Sequence, residues 1–283
     1  MAERLGRGLQ SLVQRFESAR RLSWKALETG CPSVPTLHDV SRPLKIADDG
    51  DEDELESSQA WLEKLQELNA VVAAAGEPLF GNLFYDHLQE GYVGSAPNAI
   101  LRHKRDRFQR AIKGRSRLLE VGVNGGHSAY LALTSNQGLE FCGVDVCEHA
   151  YVRPAVRWLQ QSFPGRVFFH EGDSRDVLPT LRRQGLRFDA FHIDGAKENY
   201  ASDLLNCQGM TLPGGAVVVV DDTQQDQVSK LWERCLRHRR IRRLQAFESM
   251  PRTTKYRNEI GLLEPEPAWR MPISRILLAL GRL

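Results

Sequence analysis

Three carboxylates end two short apolar runs: Asp194 closes FDAFHID, and Asp221 and Asp222 close GAVVVVDD. If the runs are neighbouring strands at a spacing of about 4.8 Å, Asp194 and Asp221 project into one crevice beyond the carboxyl edge of a sheet, and Asp222 adds a third oxygen donor. Converging acids repel one another and raise their pKa values unless a cation joins them. A hard divalent ion that prefers oxygen, Mg²⁺ first, meets that need. His192 lies one alternation before Asp194, so it could face the same crevice, although its type and place read first as a core histidine.

A second constellation spans Leu118 to Gly126, where LLEVGVNGGHSAYLAL joins a buried strand to a helix through a glycine-containing turn. Backbone N–H groups at such a helix start can approach a ligand closely. A dinucleotide turn would read G-x-G-x-x-G, whereas here Glu120 precedes Gly122, Asn124 takes the middle glycine position and Gly126 follows. An acid at that place suits a cationic amino-acid ligand better than a pyrophosphate. Asp145, in CGVDV, ends the next run about 20 residues on, where an acid can accept ribose hydroxyl hydrogens. Asp173, in HEGDS, ends the third run; alone, either acid could simply cap a helix.

To position these groups the chain must supply strands whose carboxyl ends share one edge. Apolar runs at RLLEVG, EFCGVDV, RVFFHEG, FDAFHID and GAVVVVDD alternate with helical stretches, the βαβ pattern of a doubly wound, mostly parallel α/β sheet. IRRLQAFE and KYRNEIGLLE lie too close together for a crossover helix and are predicted as an antiparallel pair, making seven strands. Residues 1–96 read as a helical extension: a helix over 3–28, a proline-bearing and acidic linker, and a helix with Trp61, Leu65, Leu68 and Val72 on one face. The catalytic domain is placed at 97–264, opening with a helix from Pro97 to Lys113, and an amphipathic tail at 265–283.

The E-V-G-V-N-G-G-H-S segment resembles the first motif of class I S-adenosylmethionine-dependent methyltransferases, in the O-methyltransferase branch of the catechol and caffeoyl-CoA enzymes. Asp194, Lys197 and Tyr200 resemble that branch's D-x-x-K-x-x-Y, and Asp221 and Thr223 its D-N-T, with Asp222 in place of Asn. The H-I-D-G start is also similar to natural-product methyltransferases of the macrocin type, which commonly have His where this chain has Lys197. The resemblance implies a Rossmann-like methyltransferase fold, with Glu120 and Gly122 beside the methionine part of S-adenosylmethionine, Ser128 near its carboxylate and Asp173 near the adenine amino group. It implies Mg²⁺ or another divalent cation on Asp194, Asp221 and Asp222. On this reading the metal lowers the pKa of an acceptor hydroxyl, Lys197 accepts or relays its proton, and the oxyanion attacks the methyl group. The acceptor would be a polyhydroxylated or catechol-like small molecule. Two other readings stand beside it: RNA methylation through the basic cluster Arg234 to Arg243, and a non-catalytic S-adenosylmethionine-binding module.

Composition narrows these readings only a little. Of the 283 residues, 41% are apolar and 26% charged, and the net charge of +2 offers no overall field to a polyanion. No aromatic residues interleave with the arginine cluster to stack bases, and the N-P-P-Y motif of amino-directed nucleic-acid methyltransferases is absent. The five cysteines are scattered without a zinc-ligand spacing and read as reduced thiols. Without an apolar run near the roughly 20 residues of a bilayer span, and with Glu3, Glu17 and Glu28 interrupting the Arg-rich start, the sequence predicts a soluble cytoplasmic protein. The tail could pack on the core or across a homodimer.

Overall fold

The computed structural model describes residues 58–86, 91–253 and 255–266. The expected helix over 3–28, the acidic linker and nearly all of the tail lie outside the described residues. Five parallel strands, β1 (Arg117–Val121), β2 (Glu140–Asp145), β3 (Val167–Glu171), β4 (Ala190–Ile193) and β5 (Ala216–Val220), are completed by β6 (Ile241–Arg243) and β7 (Glu259–Leu263). The spatial order is β3-β2-β1-β4-β5-β7-β6, with β7 antiparallel to both its neighbours. This is the seven-stranded, mostly parallel, Rossmann-like sheet that the apolar runs predict. The order reverses between β1 and β4, the switch point at which doubly wound sheets bind ligands.

Helices α1 (Gln59–Ala73), α2 (Arg102–Ile112) and α3 (His127–Ser135) precede and follow β1, while α4 (Val152–Ser162), α5 (Ser174–Arg183), α6 (Tyr200–Gly209) and α7 (Asp226–Arg237) follow β2 to β5. The stripe Trp61, Leu65, Leu68 and Val72 on α1 is buried as its spacing requires, each side chain contributing roughly 1.5–3 kcal/mol. The Trp61 indole N–H donates to Thr134 Oγ1 at 3.0 Å, and the Tyr130 hydroxyl donates to the Trp61 carbonyl at 2.6 Å. The described part of the extension is thereby tied to α3, the helix that the glycine turn opens.

The expected strand IRRLQAFE is corrected. Strand pairing stops at Arg243, and Gln245–Glu248 form a short helix, α8. As an edge strand β6 meets only β7, over three residues with Arg242 and Arg243 exposed. Phe247 then has to reach the core, where it is buried and its carbonyl accepts a 2.8 Å hydrogen bond from Arg107. The helix expected over Pro97 to Lys113 begins instead with a single 3₁₀ turn, Ala99–Leu101, capped by Asn98. Four cysteines, Cys142, Cys147, Cys207 and Cys235, are free and buried. No helix among the described residues is long and apolar enough to cross a membrane.

Candidate active site

The hydrogen-bond ladder of the sheet continues one residue past three strands. The Gly122 N–H donates to the Val144 carbonyl at 2.9 Å, the Asp194 N–H to Val121 at 2.9 Å and the Asp221 N–H to Ile193 at 3.0 Å. Gly122, Asp194 and Asp221 thus stand in a row along the carboxyl edge. The row depends on Gly122, whose φ is +88° and where a Cβ would lie 2.7 Å from the Asp194 carbonyl carbon.

A cavity of about 470 Å³ opens beside this row, at the switch point. Of the expected cofactor residues, Gly122, Asn124, Asp145 and Asp173 line it; of the expected reaction residues, Asp194, Lys197 and Asp222 do. Glu120, Gly126, Ser128 and Asp221 are not among its lining residues. Gly126 opens α3 from a left-handed conformation, and Ser128 is buried in that helix. Asn124 has a positive φ of 52° and accepts a 2.7 Å hydrogen bond from the Tyr151 hydroxyl, which fixes the turn. His127 is buried against Asn69 at 2.9 Å, and burial lowers its pKa to about 3, so it serves the turn as a neutral side chain.

Asp145 accepts the N–H groups of Val123 at 2.8 Å, Asn124 at 3.0 Å and Cys147 at 2.7 Å. A carboxylate offers about four lone-pair sites, so acceptor capacity remains toward the cavity. Asp173 caps α5 through the Arg175 N–H at 2.8 Å and pairs with the Arg175 guanidinium, which together hold its carboxyl below the usual range. It therefore fills the helix-capping role while still facing the cavity.

Below the cavity floor lies a chain of buried charges. Glu120 and His192 are register partners on β1 and β4, and His192 Nδ1 stands 2.5 Å from Glu120 Oε1. His192 Nε2 is 3.8 Å from Asp221 Oδ2, which in turn meets Lys104 Nζ at 2.7 Å. Burial alone would lower the His192 pKa, but Asp221 and Glu120 outweigh it and raise the value to about 10. Burial likewise pushes the Asp221 pKa up, yet Lys104 and His192 carry it well below the usual carboxylate range. Glu120, expected beside the ligand, is fully buried and outside the cavity lining: its Oε1 meets His192, while its Oε2 has no hydrogen-bond partner.

At the cavity wall, Lys197 Nζ lies 2.7 Å from Asp222 Oδ2, 3.3 Å from Asp194 Oδ1 and 3.1 Å from the Gly195 carbonyl. Burial would lower its pKa, but Asp194 and Asp222 raise it above the ordinary lysine value. Lys197, expected to accept a proton, is thus held as an ammonium. The group shifted toward neutrality is Asp194, raised by burial and by the neighbouring Asp221 charge. Asp222 adopts a left-handed φ of 55°, an uncommon conformation that sets its carboxyl apart from that of Asp221.

Lys104 is the residue that sequence reasoning missed. Its signal was present: Leu101, Lys104, Phe108 and Ile112 follow helical spacing, so Lys104 occupies a position on the buried stripe of α2. The arginine cluster lies elsewhere. Ile241 and Ala216 both pair with Leu263, so Arg234, Arg239 and Arg240 line a separate cavity of about 570 Å³ at the opposite edge of the sheet. Arg242 and Arg243 are paired with Glu264 at 2.9 Å and Glu233 at 3.0 Å.

Residues 119–223, from β1 to the loop after β5, match a family described as a methyltransferase domain. A comparison with curated proteins finds no match. Among solved structures, an O-methyltransferase from Bacillus cereus in complex with SAH is similar over 75% of this chain and 94% of its own, at 20% identity and a TM-score of 0.53. The O-methyltransferase TomG from Streptomyces achromogenes, involved in tomaymycin synthesis and solved with SAM, is similar over 77% of this chain and 100% of its own, at 20% identity and a TM-score of 0.50. Over residues 119–223 this chain is similar in sequence to a methyltransferase domain, and its fold is similar to that of solved O-methyltransferases.

Proposed function

We propose that the protein transfers the methyl group of S-adenosylmethionine to a hydroxyl oxygen of a small molecule. The observation that carries this reading is one continuous cavity, which runs from the turn at Gly122 and Asn124, past Asp145, to Asp194, Lys197 and Asp222. A second cavity of about 260 Å³ shares Asp194 and Asp222 and is lined further by Asn82, Tyr85, Gln224 and Tyr256. Donor and acceptor would enter from these two sides and meet at Asp194.

S-adenosylmethionine supplies a methyl group on a positively charged sulfur. Asp145 would hold the ribose, the glycine turn would lie against the chain beside it, and Asp173 would face the adenine end. Asp194, with its pKa displaced toward neutrality, would take the proton from the acceptor hydroxyl. The oxygen then forms its bond to the methyl carbon in line with the breaking carbon–sulfur bond, whose electron pair returns to sulfur. Lys197 stands where its ammonium can stabilise the developing oxyanion, and most of the acceleration would come from orientation.

The divalent cation implied by resemblance does not fit these residues as they are arranged. His192, Asp194 and Asp221 bring candidate ligand atoms within 4.8 Å of one another. Ammonium groups already stand 2.7 Å from Asp221 and 2.7 Å from Asp222, however, so an ion there would have to displace them.

Calorimetry with S-adenosylhomocysteine tests the donor. Asp145→Asn should weaken binding by about ten- to a hundredfold, the loss of a charge-assisted hydrogen bond of roughly 1.5–3 kcal/mol. A wild-type protein that binds no S-adenosylhomocysteine would end the proposal.

A further inference from the structure

We infer that the Lys104 ammonium is a built-in cation that occupies the place of a divalent metal at Asp221, and that this reaction centre holds no such ion. Lys104 Nζ lies 2.7 Å from Asp221 Oδ2, with side-chain exposures of 6% and 1%. The other oxygen of Asp221 accepts the Asp222 N–H at 2.9 Å. Mg²⁺ would need an oxygen at about 2.0–2.1 Å, and Lys104 stands in its way.

Moving Lys104 aside is resisted by its helix. Just after it α2 is clamped, by Arg105 donating to the Leu83 carbonyl at 3.2 Å and by Arg107 donating to the Phe247 carbonyl at 2.8 Å and to Asn258 Oδ1 at 3.2 Å. With only 6% of its side chain exposed, Lys104 would lose its closest counter-charge, and breaking a buried ion pair is strongly destabilising. The third candidate ligand is partly engaged: His192 Nδ1 is held by Glu120 at 2.5 Å, while Nε2 faces Asp221 at 3.8 Å.

Charge balance points the same way. Lys104 stands against Asp221, and Lys197 against both Asp194 and Asp222, so each of the three carboxylates already faces an ammonium. Lys104 also lines the smaller cavity beside Asp194 and Asp222. It therefore presents a positive charge to the acceptor, the electrostatic service a metal would otherwise supply.

The test is calorimetric titration of Mg²⁺ and Mn²⁺ into the full-length chain, with and without S-adenosylhomocysteine, for wild type, Lys104→Met and Lys104→Arg. Wild type and Lys104→Arg should bind neither ion more tightly than about 1 mM. Lys104→Met, which frees Asp221, should gain Mn²⁺ affinity by about tenfold or more. Micromolar binding of either ion by wild type overturns the inference, and so does a folded Lys104→Met that gains none. If Lys104→Met does not fold, Lys104→Gln takes its place under the same criteria, and the wild-type titration is decisive in any case. Metal binding is read without turnover, so this outcome is separable from failure of the methyl-transfer reading, which the S-adenosylhomocysteine titration alone decides.

Discussion

Replacing Gly122 by alanine probes the contact that aligns the cofactor turn with Asp194. At φ +88° an L side chain is strained by about 1–2 kcal/mol. The added Cβ would also lie 2.7 Å from the Asp194 carbonyl carbon and 2.9 Å from the Gly195 nitrogen. These are backbone atoms fixed by the sheet ladder, so the overlap is relieved only by moving β4's exit loop, at an overpacking cost of about 1–3 kcal/mol. The sum, roughly 2–5 kcal/mol, corresponds to a fall in Tm of about 4–20 °C for a domain of this size. Gly114→Ala is the matched control, because φ there is +71° but nothing lies within 4 Å of the added Cβ. It should cost only the conformational part, about 1–2 kcal/mol. Urea denaturation followed by circular dichroism measures both variants, and S-adenosylhomocysteine affinity should fall for Gly122→Ala while holding for Gly114→Ala. Equal destabilisation of the two variants, with unchanged ligand affinity, would refute the claim that Gly122 and Asp194 are locked together.

Two further outcomes follow from the buried charges. With an acceptor identified by screening, kcat/KM should rise with pH through neutrality as Asp194 ionises, and Asp194→Asn should lose that rise together with about 10²–10⁴ in rate; a flat wild-type profile from about pH 6 to 8 would remove Asp194 as the proton acceptor. His192 has its folded pKa raised to about 10, above an unfolded value near 6.5, so the stability it contributes is fully present below about pH 6.5 and is lost as pH climbs through 10. His192→Gln leaves Glu120 and Asp221 without their shared cation and should cost about 3–5 kcal/mol at neutral pH, a gap that narrows toward pH 10. Equal stability of His192→Gln and wild type in urea at pH 7 would show that the imidazole is not charged.

The sequence by itself determined the strands, the turn and the direction of the acids. Periodicity and β-branched runs act over a few residues, so RLLEVG, EFCGVDV and GAVVVVDD carry their own evidence of being strands. The alternation of side chains then sends the residues at their ends to one edge. Asp145, Asp194 and Asp222 were legible for that reason, as was the helical stripe of Trp61, Leu65, Leu68 and Val72.

What only the tertiary structure decided was how the charges are matched. Glu120 meets His192 because β1 and β4 are adjacent, and no local pattern states the order of strands in a sheet. Lys104 sits in a run, RHKRDRFQR, whose composition suggests a solvated helix; its spacing puts it on the buried stripe of α2, but only the fold brings Asp221, distant in the chain, beside it. The ending of β6 at Arg243 was decided the same way, by the demand of Phe247 for the core and of Arg107 for its carbonyl. Three carboxylates read in isolation call for a metal. Folding brings them Lys104, Lys197 and His192 instead, because Coulomb attraction acts through space and the neighbours it selects exist only once the sheet is assembled.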